Sequence, residues 1–191
     1  MLFGQAKRAS SACRLCRAAE FGNAGEPMIP ELVRCLESTV SFMRESVADL
    51  SDDDLVAQPP GVPNHAAWTL GHIIYSCQAI AGELGEEPWL PGDWESRFGY
   101  GSSPAALIAQ NPGKAALLAR LGEARDRLRG ALLRTDEKDL AEPLPDERVR
   151  AMLPTKGHAI LQVVAAHTAF HAGQLAAWRR AIGRQSAAVF L

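Results

Sequence analysis

Aromatic residues are scarce in this chain, at 6%, and basic residues are in no excess, 20 against 22 acidic. A nucleic-acid surface needs clustered Lys and Arg to neutralise phosphates, and single-strand binding adds aromatics on which bases stack. Neither is supplied, so nucleic acid is not an expected partner. Also missing is any run of eighteen or more apolar residues, so no segment reads as a membrane span. Cysteine is sparse as well, limited to Cys13, Cys16, Cys35 and Cys77. Cys13 and Cys16 form a C-x-x-C, but no second pair follows at zinc-ribbon spacing. The stretch around them lacks the folded, electropositive setting of a reactive thiol pair, and the motif reads as incidental. Cys35 and Cys77 lie within apolar helical patterns, where free cysteine behaves as a small hydrophobe. This usage fits a reducing, cytoplasmic compartment.

What is present suits one domain: 191 residues, 47% hydrophobic and 22% charged. Residues 1–27 are rich in Ala, Ser, Arg and Gly without a sustained apolar period, and read as an N-terminal extension. Lys7 and Arg8 precede no continuous apolar stretch, so the segment is a poor signal peptide. The folded unit is expected over 28–185, with 186–191 as a tail.

Four long helical patterns fill that unit. The first starts near Pro30, a residue suited to a first turn, and carries Ile29, Leu32, Val33, Leu36, Val40, Met43, Val47 and Leu50 on one stripe. Pro59-Pro60-Gly61-Val62-Pro63 then blocks any helix. Asn64 is an expected N-cap for a second helix from about His65 to Leu84. Residues 85–103 read as a loop that holds Trp89, Trp94, Phe98 and Tyr100, either as a binding lid or as caps on a bundle end. A short helical piece is expected over Pro104–Gln110. A third helix, about Pro112–Arg134, has Leu117, Leu121 and Leu128 inward, and its charged face reads as solvated. Residues 135–155 are polar and proline-broken. The fourth helix, about Lys156–Ile182, places Ile160, Val164, His167, His171, Leu175 and Trp178 on one stripe and ends at Gly183. No strand pattern, repeat or heptad array is found, so the fold class is an all-α bundle.

The chain has five histidines: His65, His72, His158, His167 and His171. His167 and His171, four apart on a helix, share a face with Cβ atoms about 6 Å apart, close enough to ligate one ion. Thr168 stands where H-E-x-x-H proteases carry their general-base Glu, so that chemistry is excluded. Both rings lie on the apolar stripe. Two buried imidazoles need partners and repel when protonated; a metal answers both needs. His72, mid-helix and in line with Trp68 and Tyr75, is the natural third partner. His65 stands at a helix start, where exposure is expected, although it could support the site from outside. His158 sits near the start of the last helix and well around its axis from His167.

The run Asn64-His65-Ala66-Ala67-Trp68-Thr69-Leu70-Gly71-His72, together with His167-x-x-x-His171-Ala172-Gly173-Gln174-Leu175 and Trp178-Arg179-Arg180, resembles the DinB-like superfamily. The likeness covers about residues 28–183. It implies an up-down-down-up four-helix bundle in which His72, His167 and His171 hold one zinc or nickel ion. Three histidines leave a coordination position open, as in catalytic zinc sites. Branches of the family are thiol-dependent transferases, which place a low-molecular-weight thiol on the metal and attack an electrophilic small molecule. Others are metal-dependent hydrolases. A non-catalytic metal-binding stress-response module, possible as a homodimer, is the competing class. Gln174 matches the family's Gly-Gln position, where it either orients a ligand or packs a neighbouring helix. Arg179 and Arg180 suit a helix C-terminus or could reach a carboxylate.

Overall fold

The apolar stripe that begins at Ile29 becomes the buried face of α1 (Met28–Val47) in the computed structural model, which describes residues 28–145 and 147–185. Ser51 and Asp54 then cap each other's ends of a single turn, α2 (Asp52–Leu55), in a reciprocal capping box that the sequence reading did not foresee. α3 (Ala66–Gly82) is apolar on nearly every side and is buried accordingly. Next comes α4 (Trp94–Phe98), a short helix within the stretch expected to be loop. The Pro104–Gln110 piece shrinks to a 3-10 turn at Ile108–Gln110.

α5 (Lys114–Arg134) buries Leu117, Leu121, Ala124, Leu128 and Leu132, and leaves Glu123, Asp126, Arg127 and Arg129 exposed. The proline-broken crossing holds a 3-10 turn at Glu137–Ala141, a turn of helix α6 (Glu147–Arg150) and one bridge between Pro143 and Thr155. No strand occurs among the described residues.

The last helical stretch is continuous but not uniform. It runs as α7 (Lys156–Leu161), a π-helical segment (Gln162–His167) and α8 (Thr168–Ala181). Periodicity alone anticipated a plain α-helix. The Thr168 hydroxyl donates to the Val163 carbonyl at 2.9 Å and also to that of Val164, stitching the widened turn. Gly183, at φ +80°, ends the helix as expected: its N–H bonds Arg180 O and the Arg184 N–H bonds Arg179 O, both at 3.0 Å.

α1 packs on α5 and α8, and α3 packs on the same two, so the four long helical stretches enclose one core. Arg179 is taken up inside this assembly. Its guanidinium grips Asp49 at 2.6 and 2.8 Å and the Ser46 carbonyl at 2.9 Å, tying α8 to the end of α1. That contact, led by the Arg179 hydrogen bond, holds the Asp49 carboxyl down to about 2. Cys77 is buried, and burial pushes its thiol up to about 12. Cys35, expected inside, is exposed on α1. Its neighbour Leu36, not Cys35, takes the inward position. Cys13 and Cys16 and the expected extension and tail lie outside the described residues. Among those described, no helix is long and apolar enough to cross a membrane.

Candidate metal centre

α3 begins on a histidine. The His65 Nδ1 accepts the Trp68 N–H at 3.1 Å, and its Nε2–H donates to the Ala105 carbonyl at 3.0 Å. His65, not Asn64, is therefore the N-cap. It is fully buried rather than exposed, because its ring also ties down the loop beyond α4. Burial pushes its pKa down, against the pull of the Ala105 carbonyl.

Two turns further along α3, His72 faces the last helix. A carbonyl can only accept, so the 2.6 Å contact between His72 Nδ1 and Phe98 O fixes the proton on Nδ1. The lone pair is left on Nε2. The Trp68 indole lies flat on the His72 ring, with centroids 4.8 Å apart and planes 7° from parallel. Trp68 is itself held by an Nε1–H bond of 3.0 Å to Ser102 Oγ.

His167, the last residue of the π segment, and His171, on the first turn of α8, bring their rings to the same point. His167 Nε2 stands 3.1 Å from Nε2 of His72 and 3.1 Å from Nε2 of His171. One ligand nitrogen from each of the three falls within 4.8 Å of the others, a group that could hold a metal ion. His72 and His171 are buried; His167 is half-buried and gives the cluster its contact with solvent. Phe170 packs edge-on to the His171 ring at 5.3 Å while remaining 61% exposed.

The three rings favour the neutral state. Burial, then the neighbouring His72, pushes His167 down to about 4. Burial and the two other imidazoles push His171 to about 4, with Gln174 opposing. Burial also lowers His72, against the Phe98 carbonyl. Neutral rings leave a hydrogen-bonding problem. One His167 Nε2 cannot satisfy two imidazole nitrogens at once, and the Nδ1 atoms of His167 and His171 are buried without a hydrogen-bond partner. A cation among the Nε2 atoms uses all three lone pairs together. Ligands about 2.0–2.1 Å from one ion are separated by distances of this order, so the donor set fits a divalent transition metal.

Gln174 lies one turn past His171. Its amide is close enough to favour the charged ring, yet its buried Oε1 forms no well-made hydrogen bond. His158 stays exposed and pairs with Thr155 at 2.8 Å, away from the cluster. Of the loop aromatics, Trp94 and Phe98 are buried against α3, whereas Tyr100 is fully exposed. Sequence reading missed the Phe98 carbonyl, since a backbone acceptor leaves no mark in residue type. The available signal was the Gly71-His72 pair combined with a loop rich in aromatics.

The model of the DinB superfamily matches residues 36–175. The crystal structure of a conserved protein from Enterococcus faecalis is similar in fold, with a TM-score of 0.66 over 84% of this chain and 100% of that one, at 16% identity. No curated protein matches the chain. The family match spans α3, the crossing segments and the His167–His171 turn, and with the all-α architecture it establishes that the chain belongs to the DinB superfamily.

Proposed function

We propose that His72, His167 and His171 hold one divalent transition ion, zinc or nickel, and that the protein is a metal-dependent S-transferase. It would join the sulfur of a low-molecular-weight thiol to an electrophilic small molecule. The observation that carries this reading is the convergence of three neutral imidazoles with no fourth histidine, cysteine or carboxylate in the group among the described residues. That is the donor set of a site with an open position rather than a closed structural one. A divalent ion bound there would lower the pKa of a thiol or water in the remaining position.

The chain's own residues supply the rest. Phe98 holds the His72 proton on Nδ1, so Nε2 stays available. Trp68 walls one side of the cluster, and the exposed Phe170 offers an apolar edge to an acceptor molecule. In the transfer, sulfur gains a bond to the electrophilic carbon. The leaving group departs with its electron pair, and the thiol proton passes to solvent.

The test combines elemental analysis of the purified protein, thiol titration of its cobalt form by visible spectroscopy, and turnover of a chlorinated aromatic acceptor with a panel of thiols. Metal at one equivalent, thiol-dependent spectral change and turnover are expected. Thiol-dependent rates no higher than those of His72→Ala across the panel would overturn the transferase reading. Thiol-independent ester or amide cleavage by the metal form would replace it with a hydrolase.

A further inference from the structure

α4 meets α3 at the residue before His72. A Cβ built on Gly71 would stand 2.6 Å from Phe98 Cε1, 2.7 Å from Phe98 Cγ and closer still to Cδ1. The Phe98 ring therefore occupies the space that any side chain at position 71 would need. Beside it, the buried Trp94 indole donates from Nε1 to the Gly71 carbonyl at 3.0 Å. Both rings belong to one turn of helix and pack on each other with centroids 4.8 Å apart. Gly99, which closes α4 with a 2.7 Å bond to Glu95 O, has no room for a Cβ either. The Phe98 carbonyl, at the end of this seat, reaches His72 Nδ1 at 2.6 Å.

We propose that α4 is a positioning clamp for His72, and that Gly71 and Trp94 are its positioning residues. The bare Cα of Gly71 lets Phe98 sit against α3, and Trp94 pins the same turn. Together they bring a backbone carbonyl onto Nδ1, which sets the tautomer and the rotation of the ring. Backbone groups that orient a ligating imidazole in this way typically govern metal affinity. This inference rests on reading His72 as a metal ligand, but its central claim, control of the His72 tautomer, can be measured without metal.

The experiment uses the full chain as wild type, Gly71→Ala, Trp94→Phe and Ala131→Gly. The last removes a methyl from the buried face of α5 near the far end of α3, and serves as a control for general destabilisation. Nitrogen-15 NMR of the metal-free protein reports which His72 nitrogen carries the proton. Competition with a chromophoric chelator gives the zinc affinity of the folded fraction, and the cobalt form gives a ligand-field spectrum. Wild type and Ala131→Gly should show the proton on Nδ1 and equal affinity. Gly71→Ala should show a mixed tautomer, a changed cobalt spectrum and an affinity lower by about 10–100-fold. Trp94→Phe keeps an aromatic ring but removes the Nε1–H bond to Gly71 and part of the indole, and should move the same readouts in the same direction by a smaller factor. If Gly71→Ala does not fold, Trp94→Phe decides: a wild-type tautomer and affinity there overturns the clamp. A wild-type protein that binds no metal, with the tautomer changes as described, would refute the metal reading and leave the clamp standing.

Discussion

His167 is the hinge of the cluster, because its Nε2 approaches both other imidazoles at 3.1 Å while they are held from their own helices. Removing it leaves two nitrogens and a path for water. His167→Ala should therefore abolish stoichiometric metal binding, read by elemental analysis, while the far-ultraviolet circular dichroism stays unchanged. His65→Ala should act differently. It strips the cap from α3 and the tie to Ala105, so stability falls by about 1 kcal/mol or more. The chief loss is in fold stability rather than in ligands.

Acid should act on the same rings. His167 and His171 titrate near 4 in the folded protein, against about 6.5 when unfolded. Between those values the unfolded chain binds more protons, so stability rises with pH in that window. The contribution of the neutral rings is complete above about 6.5 and is lost as pH falls through 4. Ligation also needs neutral imidazole, so metal release and weakening of the fold should coincide. Urea midpoints at stepped pH check this. A His167→Ala/His171→Leu variant should show a flatter profile, and an unchanged slope would contradict the assignment.

At the level of the element, the long helices were legible because burial leaves a period in the sequence. Leu32, Leu36, Val40 and Met43 on α1, and Leu117, Leu121, Ala124 and Leu128 on α5, recur at three and four. Histidine spacing on the last helix was legible for the same reason. Short elements were not. α2 has one buried apolar residue, Leu55, and α4 two, Trp94 and Phe98, too few to establish a period. His65 misled because its place at a helix start suggested exposure, whereas its two ring nitrogens answer two backbone groups at once and the ring is buried. The π segment was invisible, since one extra residue in a turn leaves no mark in residue type. Its stitch can be tested: Thr168→Val removes the hydroxyl bonds to Val163 and Val164 and should cost about 1 kcal/mol, measured by chemical denaturation. A Thr168→Ser variant keeps the hydroxyl and should lose less metal affinity than Thr168→Val.

At the scale of the whole molecule, the proposed ion joins α3 to the last helical stretch and so binds only the folded chain. A ligand at a hundredfold excess over its Kd contributes about 2.7 kcal/mol, equivalent to roughly 5–10 °C in Tm for a chain of this length. Chelator treatment should lower Tm by that order and zinc should restore it, whereas His167→Ala should melt identically with or without metal. Arg179, by contrast, works without any ion. Its grip on Asp49 and Ser46 O joins α8 to α1, so its substitution should lower Tm equally in both forms.

The widened turn at Gln162–His167 has a consequence for anyone who would borrow this centre. A π turn takes in one more residue than an α turn, so the helix before it is rotated in phase relative to the helix after it. In this chain Ala159 and Ile160 meet the core on one side of that shift, and Ala172 and Leu175 on the other. Grafting only the His-x-x-x-His face onto an ideal α-helical scaffold would keep the two rings together. It would turn the upstream core face away by about 100°. A transplant therefore has to carry the extra residue along with the ligands.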